Sequence, residues 1–229
     1  MHILGIITAR GGSKRIPNKN IKILNKKPLI CFTLEAAEKS KLLTKAILSS
    51  DNYKILNIAK RFKKIEIPFI RPEYLSRDNT PSYPVIKHAV QRYEKLFSKP
   101  DIIVLLQPTS PFRKGHHIDR AIKKFLKSKT DSLVSINKTT YKPELKYFLY
   151  NYKNNLKSVK RNLKTNSKKF KNIFVRNGAI YIFTYDCLKN YRSLYGNTIT
   201  GYIMNSDDSL DINNYEDWKR ARKIIAKGN

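Results

Sequence analysis

A chain of 229 residues that is 41% apolar has the material for one domain of good core size. No apolar run approaches the roughly 18 residues of a membrane-spanning helix, and two distant cysteines, Cys31 and Cys187, give no disulfide framework and suit the cytoplasm. Against 17 acidic residues stand 47 basic ones, a net charge of +30; the lysines are spread along the chain, which favours plain exposed positions over a nucleic-acid surface, with steering of small polyanions as the third reading.

Ile3–Thr8 is a short apolar run. It predicts a buried strand, not a signal peptide, because no basic lead or small-residue cleavage site accompanies it. It breaks into 9–20, where Gly11, Gly12 and Ser13 let backbone N–H groups crowd round an anion. Arg10, Lys14, Arg15 and Lys19 place four cations within ten residues. Donors and mobile cations at the carboxyl end of a strand suit a triphosphate. The spacing matches neither the usual P-loop nor G-x-G-x-x-G, and a polar loop after an edge strand is the alternative. Pro28-Leu29-Ile30 opens a helix with Ile30, Leu34 and Ala37 on one face. Ala46–Ser50 reads as a strand ending at Asp51, and Tyr53–Lys63 as a helix with Leu56, Ala59 and Phe62 on one side. Ile67–Ile70 is expected as a third strand, closed by Arg71-Pro72. A polar loop, Ser76–Tyr83, leads to a helix from Pro84 to about Phe97 that buries Val85, Ile86, Ala89, Val90 and Tyr93.

Ile102–Leu106 is unbroken aliphatic sequence, as a parallel strand covered on both faces requires. Gln107-Pro108-Thr109-Ser110-Pro111 follows it. His116-His117 has no metal spacing and marks a solvated loop or a helix start, before a helix over Ile118–Ser128 and a strand over Ser132–Ile136. Alternating strands and helices predict an α/β domain with a mostly parallel sheet. Ligands bind outside the carboxyl ends of such strands, where the 9–20 loop, Asp51, Arg71 and Gln107 all fall. The pattern changes at Lys138. Tyr141–Lys171 lacks helical period, and Lys146–Tyr152 with Leu156–Arg161 reads as a hairpin joined through Asn154-Asn155, an arm suited to packing on another subunit. Gly178–Phe183 and Gly201–Met204 resume the sheet, and Asn214–Ala226 closes as a helix striped by Trp218, Ala221 and Ile225.

Four separated stretches, in order, resemble one family: ITARGGSKRIPNKN (Ile7–Asn20), LLQPTSPFR (Leu105–Arg113), RNGAIYIF (Arg176–Phe183) and SLDINNYEDW (Ser209–Trp218). The family is the CMP-sialic acid synthetases, cytidylyltransferases that activate nine-carbon 2-keto sugar acids. Arg71-Pro72 and the loop to Ser82 look similar too. LLQPTSP and NGAIYIF resemble the sialic or legionaminic branch and not the pseudaminic one. The resemblance implies a Rossmann-like nucleotide-diphospho-sugar transferase fold of class α/β over residues 1–229, with a small inserted dimerisation arm at 138–172. It further implies a homodimer, CTP and a 2-keto sugar acid as substrates, and Mg²⁺, with no membrane insertion.

By resemblance, Arg10, Lys14, Lys19 and Asn20 hold the triphosphate, with Arg10 and Lys19 on the leaving pyrophosphate. Arg71 and Ser82 contact the nucleotide, and Gln107 lies between nucleotide and sugar. Asn177, Tyr181 and Lys146 line the sugar pocket. Asp211 and Asn213 are two apart, so an extended backbone sets both on one face while Leu210 and Ile212 point into the core; with phosphate oxygens and waters they suit octahedral Mg²⁺. The family usually has a second aspartate where Asn213 stands. It commonly has arginine and proline where this chain has Ser167 and Arg176, which leaves Lys168, Lys169 and Arg176 as candidates to face the sugar carboxylate. The competing readings are a cytidylyltransferase for an eight-carbon or pseudaminic acid, a basic nucleic-acid binder working through 147–174, and a fold that has lost turnover.

Overall fold

The computed structural model describes residues 1–139, 147–150, 155–158 and 173–227. Strand β1 (Ile3–Thr8) lies inside the main sheet, in parallel with β4 (Lys45–Ser49) on one side and β6 (Ile102–Leu106) on the other. Its alternation divides the core. Ile3 and Ile7 join one apolar cluster with Ile30 and Leu34 of α1 (Leu29–Lys39), Leu56 of α2 (Tyr53–Ala59) and Ile118 and Ile122 of α4 (Gly115–Ser128). Leu4 and Ile6 face the other way, against Ile86 and Val90 of α3 (Ser82–Leu96) and Leu188 of α5 (Tyr185–Asn190). A sheet covered on both faces buries continuous aliphatic runs, and all of β6 is buried. Fully burying each such side chain stabilises by roughly 1.5–3 kcal/mol before entropy is counted.

The order across the sheet is β11 (Ile199–Ile203), β7 (Ser132–Lys138), β10 (Ile173–Thr184), β6, β1, β4, β5 (Ile65–Glu66). β10 alone on this path runs against its neighbours β6 and β7. Because β1, β4 and β6 are parallel, the segments after Thr8, Ser49 and Leu106 emerge on one edge.

The third strand forms two residues earlier than expected, at Ile65–Glu66 and not at Ile67–Ile70. Pro68 has no N–H to give a ladder, so pairing stops before it. Helix α2 ends at Ala59, short of Lys63, because the Phe62 and Ile65 amides turn back onto Ala59 and Phe62 carbonyls. Helix α3 begins at Ser82, with Pro84 inside the first turn, where a missing N–H costs nothing. A two-stranded hairpin, β2 (Ile23–Leu24) with β3 (Lys27–Pro28), was not legible; Asn25 and Lys26 both take left-handed backbone at its tip.

Beyond β7, β8 (Tyr147–Tyr150) pairs antiparallel with β10, and β9 (Leu156–Ser158) with β8. Leu156 is buried against Val134, Ile136 and Phe174, and Asn155 bridges to Thr200. The described part of the expected hairpin thus packs on this chain's own sheet. Asn154, Lys146, Ser167, Lys168 and Lys169 lie outside the described residues. Helix α6 (Tyr215–Lys227) buries Trp218 and Ala221. Among the described residues, no helix is long and apolar enough to cross a membrane.

Candidate active site

An open cleft of about 290 Å³ lies at the carboxyl edge of β1, β4 and β6. Arg10, Lys19, Asn20, Arg71, Ser82, Gln107, Asp211 and Asn213 all line it. The loop after β1 owes its shape to three ties. Asp51 accepts the Gly11 N–H at 2.9 Å, the Asn20 amide donates to the Arg10 carbonyl at 2.9 Å, and Ile16 is sunk among Leu24, Leu29, Leu210, Ile212 and Trp218. Gly11 has no room for a side chain: a Cβ there would stand 2.7 Å from Asn52 Nδ2. Ile16 and Ile212 share one apolar cluster, so folding that cluster brings the loop and the late Asp211 segment together.

Lys19 donates to the Ile212 carbonyl at 2.9 Å. Burial lowers its pKa, and the nearby Asp211 carboxylate works against that shift. Arg71 is buried, its Nε on Ser49 Oγ at 2.9 Å; burial pulls it down to about 10, with Asp51 opposing, so it remains charged. Cations this close repel one another and gain most from a bound polyanion. Helix α3 adds its first-turn N–H groups at Ser82, with no side-chain cap from Pro81.

Leu210 and Ile212 are buried, so Asp211 and Asn213 turn to the cleft as expected. The segment is fixed by the Ile212 N–H on the Thr109 carbonyl at 2.8 Å and by Asp217, which accepts from the Asn213 N–H at 2.9 Å. Asp211 Oδ2 takes the Asn213 amide at 2.8 Å, while Oδ1 is buried with no hydrogen-bond partner. Among the described residues no group of three His, Cys, Asp or Glu side chains gathers. A buried carboxylate oxygen with no partner, beside the Asn213 amide and an open cationic cleft, nonetheless fits Mg²⁺, which needs only one or two carboxylates.

A second cleft of about 290 Å³ shares Ser82 and Gln107 with the first and adds Tyr181, Arg192, Leu194 and Tyr195. Burial pushes the Tyr181 phenol up to about 12, so it stays a neutral donor. Arg176 sits over the Tyr195 ring at 5.0 Å and donates to its hydroxyl. Asp131 ties the loop below by accepting from the Asn197 and Thr198 amides at 2.8 Å each.

Asn177 does not line either cleft. It is buried beneath them, accepting from Ser135 Oγ and donating to Ser209 Oγ at 2.9 Å, which clamps β10 to β7 and to the 207–209 turn. Lys14 points outward, 3.0 Å from Asp78, which also pairs with Arg10 at 2.6 Å. Two residues had no expected role. Gly178 takes φ +76° at the irregularity in β10; a Cβ there would reach 3.1 Å from Gln107 Oε1 and 3.5 Å from Asp211 Oδ2. Arg113 is buried and donates to the Gln107 carbonyl at 3.1 Å, the Ala179 carbonyl at 2.9 Å and Thr33 Oγ1 at 2.6 Å. Burial pulls it down to about 9, and it holds the backbone under Gln107 in place. Both lie inside the motifs LLQPTSPFR and RNGAIYIF, which was the available signal.

Residues 4–205 match a family model described as cytidylyltransferase. A CMP-N,N'-diacetyllegionaminic acid synthase of Legionella pneumophila is 32% identical over 98% of this chain and 97% of its own length. An N-acylneuraminate cytidylyltransferase of Escherichia coli is 34% identical over 99% of this chain, which spans 53% of that longer protein. Among solved structures, a CMP:2-keto-3-deoxy-manno-octonic acid synthetase complexed with CTP superposes with a TM-score of 0.81 at 15% identity, covering 100% of both chains. That likeness establishes the fold.

Proposed function

The chain belongs to the cytidylyltransferase family, and from that premise we propose that it transfers CMP from CTP to the anomeric hydroxyl of a nine-carbon 2-keto sugar acid of the sialic or legionaminic type, releasing pyrophosphate. One observation carries the reading: Arg10 and Lys19 from the start of the chain and Asp211 from its end face a single cleft of about 290 Å³. In this reading Arg10 and Lys19 inside the cleft take the phosphates, with Lys14 outside it beside Asp78 in reach of their far end, and Asn20 and Asp51 fix the loop that presents them. Arg71 and Ser82 meet the nucleotide. Charge moves to the leaving pyrophosphate as the P–O bond breaks, and fixed cations that need no reorganisation stabilise that change most.

The sugar acid belongs in the second cleft, where Gln107 and Ser82 form the common wall and Tyr181 offers a hydroxyl. Arg192 on its lining and Arg176 behind Tyr195 are the described candidates to face a carboxylate there. Asp211, assisted by the Asn213 amide oxygen, is the group that would hold Mg²⁺. When bound, that ion neutralises phosphate charge and orients the α-phosphate. Homodimerisation through 138–172 is part of the same proposal by family likeness.

The test is a CTP-dependent assay with N-acetylneuraminate, legionaminate, pseudaminate and an eight-carbon keto acid, following pyrophosphate and product mass. CMP ester formed on either of the first two, in preference to the others, is the expected result. Preference for the eight-carbon acid would overturn the substrate assignment, and no ester on any would overturn the activity.

A further inference from the structure

The segment between buried Leu75 and the start of α3 is exposed at Arg77, Asp78 and Asn79 and crosses the mouth of the nucleotide cleft. Its Asp78 carboxylate stands 2.6 Å from Arg10 Nη2 and 3.0 Å from Lys14 Nζ. These are two of the cations assigned to the triphosphate. A phosphate on Arg10 would meet the Asp78 oxygens at van der Waals range, and two anions cannot share those donors without repulsion. The ion pairs are solvent-screened, with Asp78 39% and Arg10 32% exposed at the side chain, so separating them costs little. The loop is anchored at buried Leu75 on one side and at α3 on the other, and its tip, residues 77–79, is exposed.

We propose that Asp78 is a positioning residue that stands in for a phosphate: it keeps Arg10 and Lys14 spread at the cleft mouth while no nucleotide is bound, yields them when the triphosphate arrives, and competes for them again as pyrophosphate departs. This rests on the triphosphate reading of the cleft. The carboxylate acts through Arg10 and Lys14 and touches no reacting atom. It trades ground-state affinity for faster exchange of the polyanion, so removing its charge strengthens binding.

The test is calorimetric binding of inorganic pyrophosphate to the full chain. Asp78→Asn is expected to tighten pyrophosphate about three- to tenfold, the scale of two screened ion pairs. Asp78→Glu should restore the original affinity. Glu73→Gln, which makes the same charge change on the neighbouring exposed turn, should not move it. In turnover, the KM for CTP should fall in Asp78→Asn while kcat does not rise. Unchanged or weaker pyrophosphate binding in Asp78→Asn, or an equal gain in Glu73→Gln, overturns the proposal and leaves the cytidylyltransferase reading standing. Absence of pyrophosphate binding to the unsubstituted chain overturns this proposal, while the cytidylyltransferase reading stands or falls with ester formation from CTP.

Discussion

Asp211 carries one oxygen tied to Asn213 and one buried oxygen with no partner. A buried unpaired carboxylate oxygen is costly unless something positive comes to it. Asp211→Ala is therefore expected to abolish transfer even at saturating Mg²⁺; near-normal turnover would refute its role. In the proposed metal site Asn213 would contribute a neutral oxygen, and its amide must turn to offer it, because at present it donates to Asp211. Asn213→Asp should then lower the Mg²⁺ concentration for half-maximal activity several-fold, with tighter Mn²⁺ binding by calorimetry as the check. Of this site, the residue types and their two-residue spacing were legible in sequence. Gly178 was not singled out, because a left-handed φ between two functional side chains is a property of the folded strand.

At the level of elements, helix α4 opens on an unusual cap. The Lys114 N–H donates to His117 Nδ1 at 3.2 Å, and His117 Nε2 faces Asp208 at 3.6 Å. Burial lowers the imidazole to about 4, with Asp208 opposing and His116, Lys114 and Arg120 reinforcing. Between its ordinary 6.5 and that value the unfolded chain binds a proton that the folded chain refuses, so stability falls as pH drops through this window. His117→Gln keeps an acceptor for the Lys114 N–H and removes the titration. It should flatten the extra loss of about 2 kcal/mol between pH 6.5 and 4.5, read from urea midpoints of both proteins. The amphipathic periods located most helices and strands, though not the short α5, β2 and β3, and they did not fix the ends. Pro68 moved a strand, Pro84 admitted a helix start, and the 12-residue β10 was seen only from Gly178 onward because the residues before it alternate weakly.

For the whole molecule, the cleft exists because parallel strands deliver loops from distant parts of the chain to one edge, a rule of the fold that sequence alternation already implied. What pattern could not give was depth: Asn177 and Arg113 read as candidate wall and plain motif, yet both are buried struts under the site. The wall common to both clefts, Gln107 with Ser82, has a stereochemical consequence. In the proposed arrangement, with the acceptor entering from the Tyr181 side and pyrophosphate departing over Arg10, the incoming and outgoing oxygens would stand on opposite faces of phosphorus. A single displacement across that wall inverts the centre, so a CTP of one handedness with sulfur at a non-bridging position of its α-phosphorus should give one CMP phosphorothioate diester of inverted configuration, and retention would point to a covalent nucleotidyl-enzyme instead.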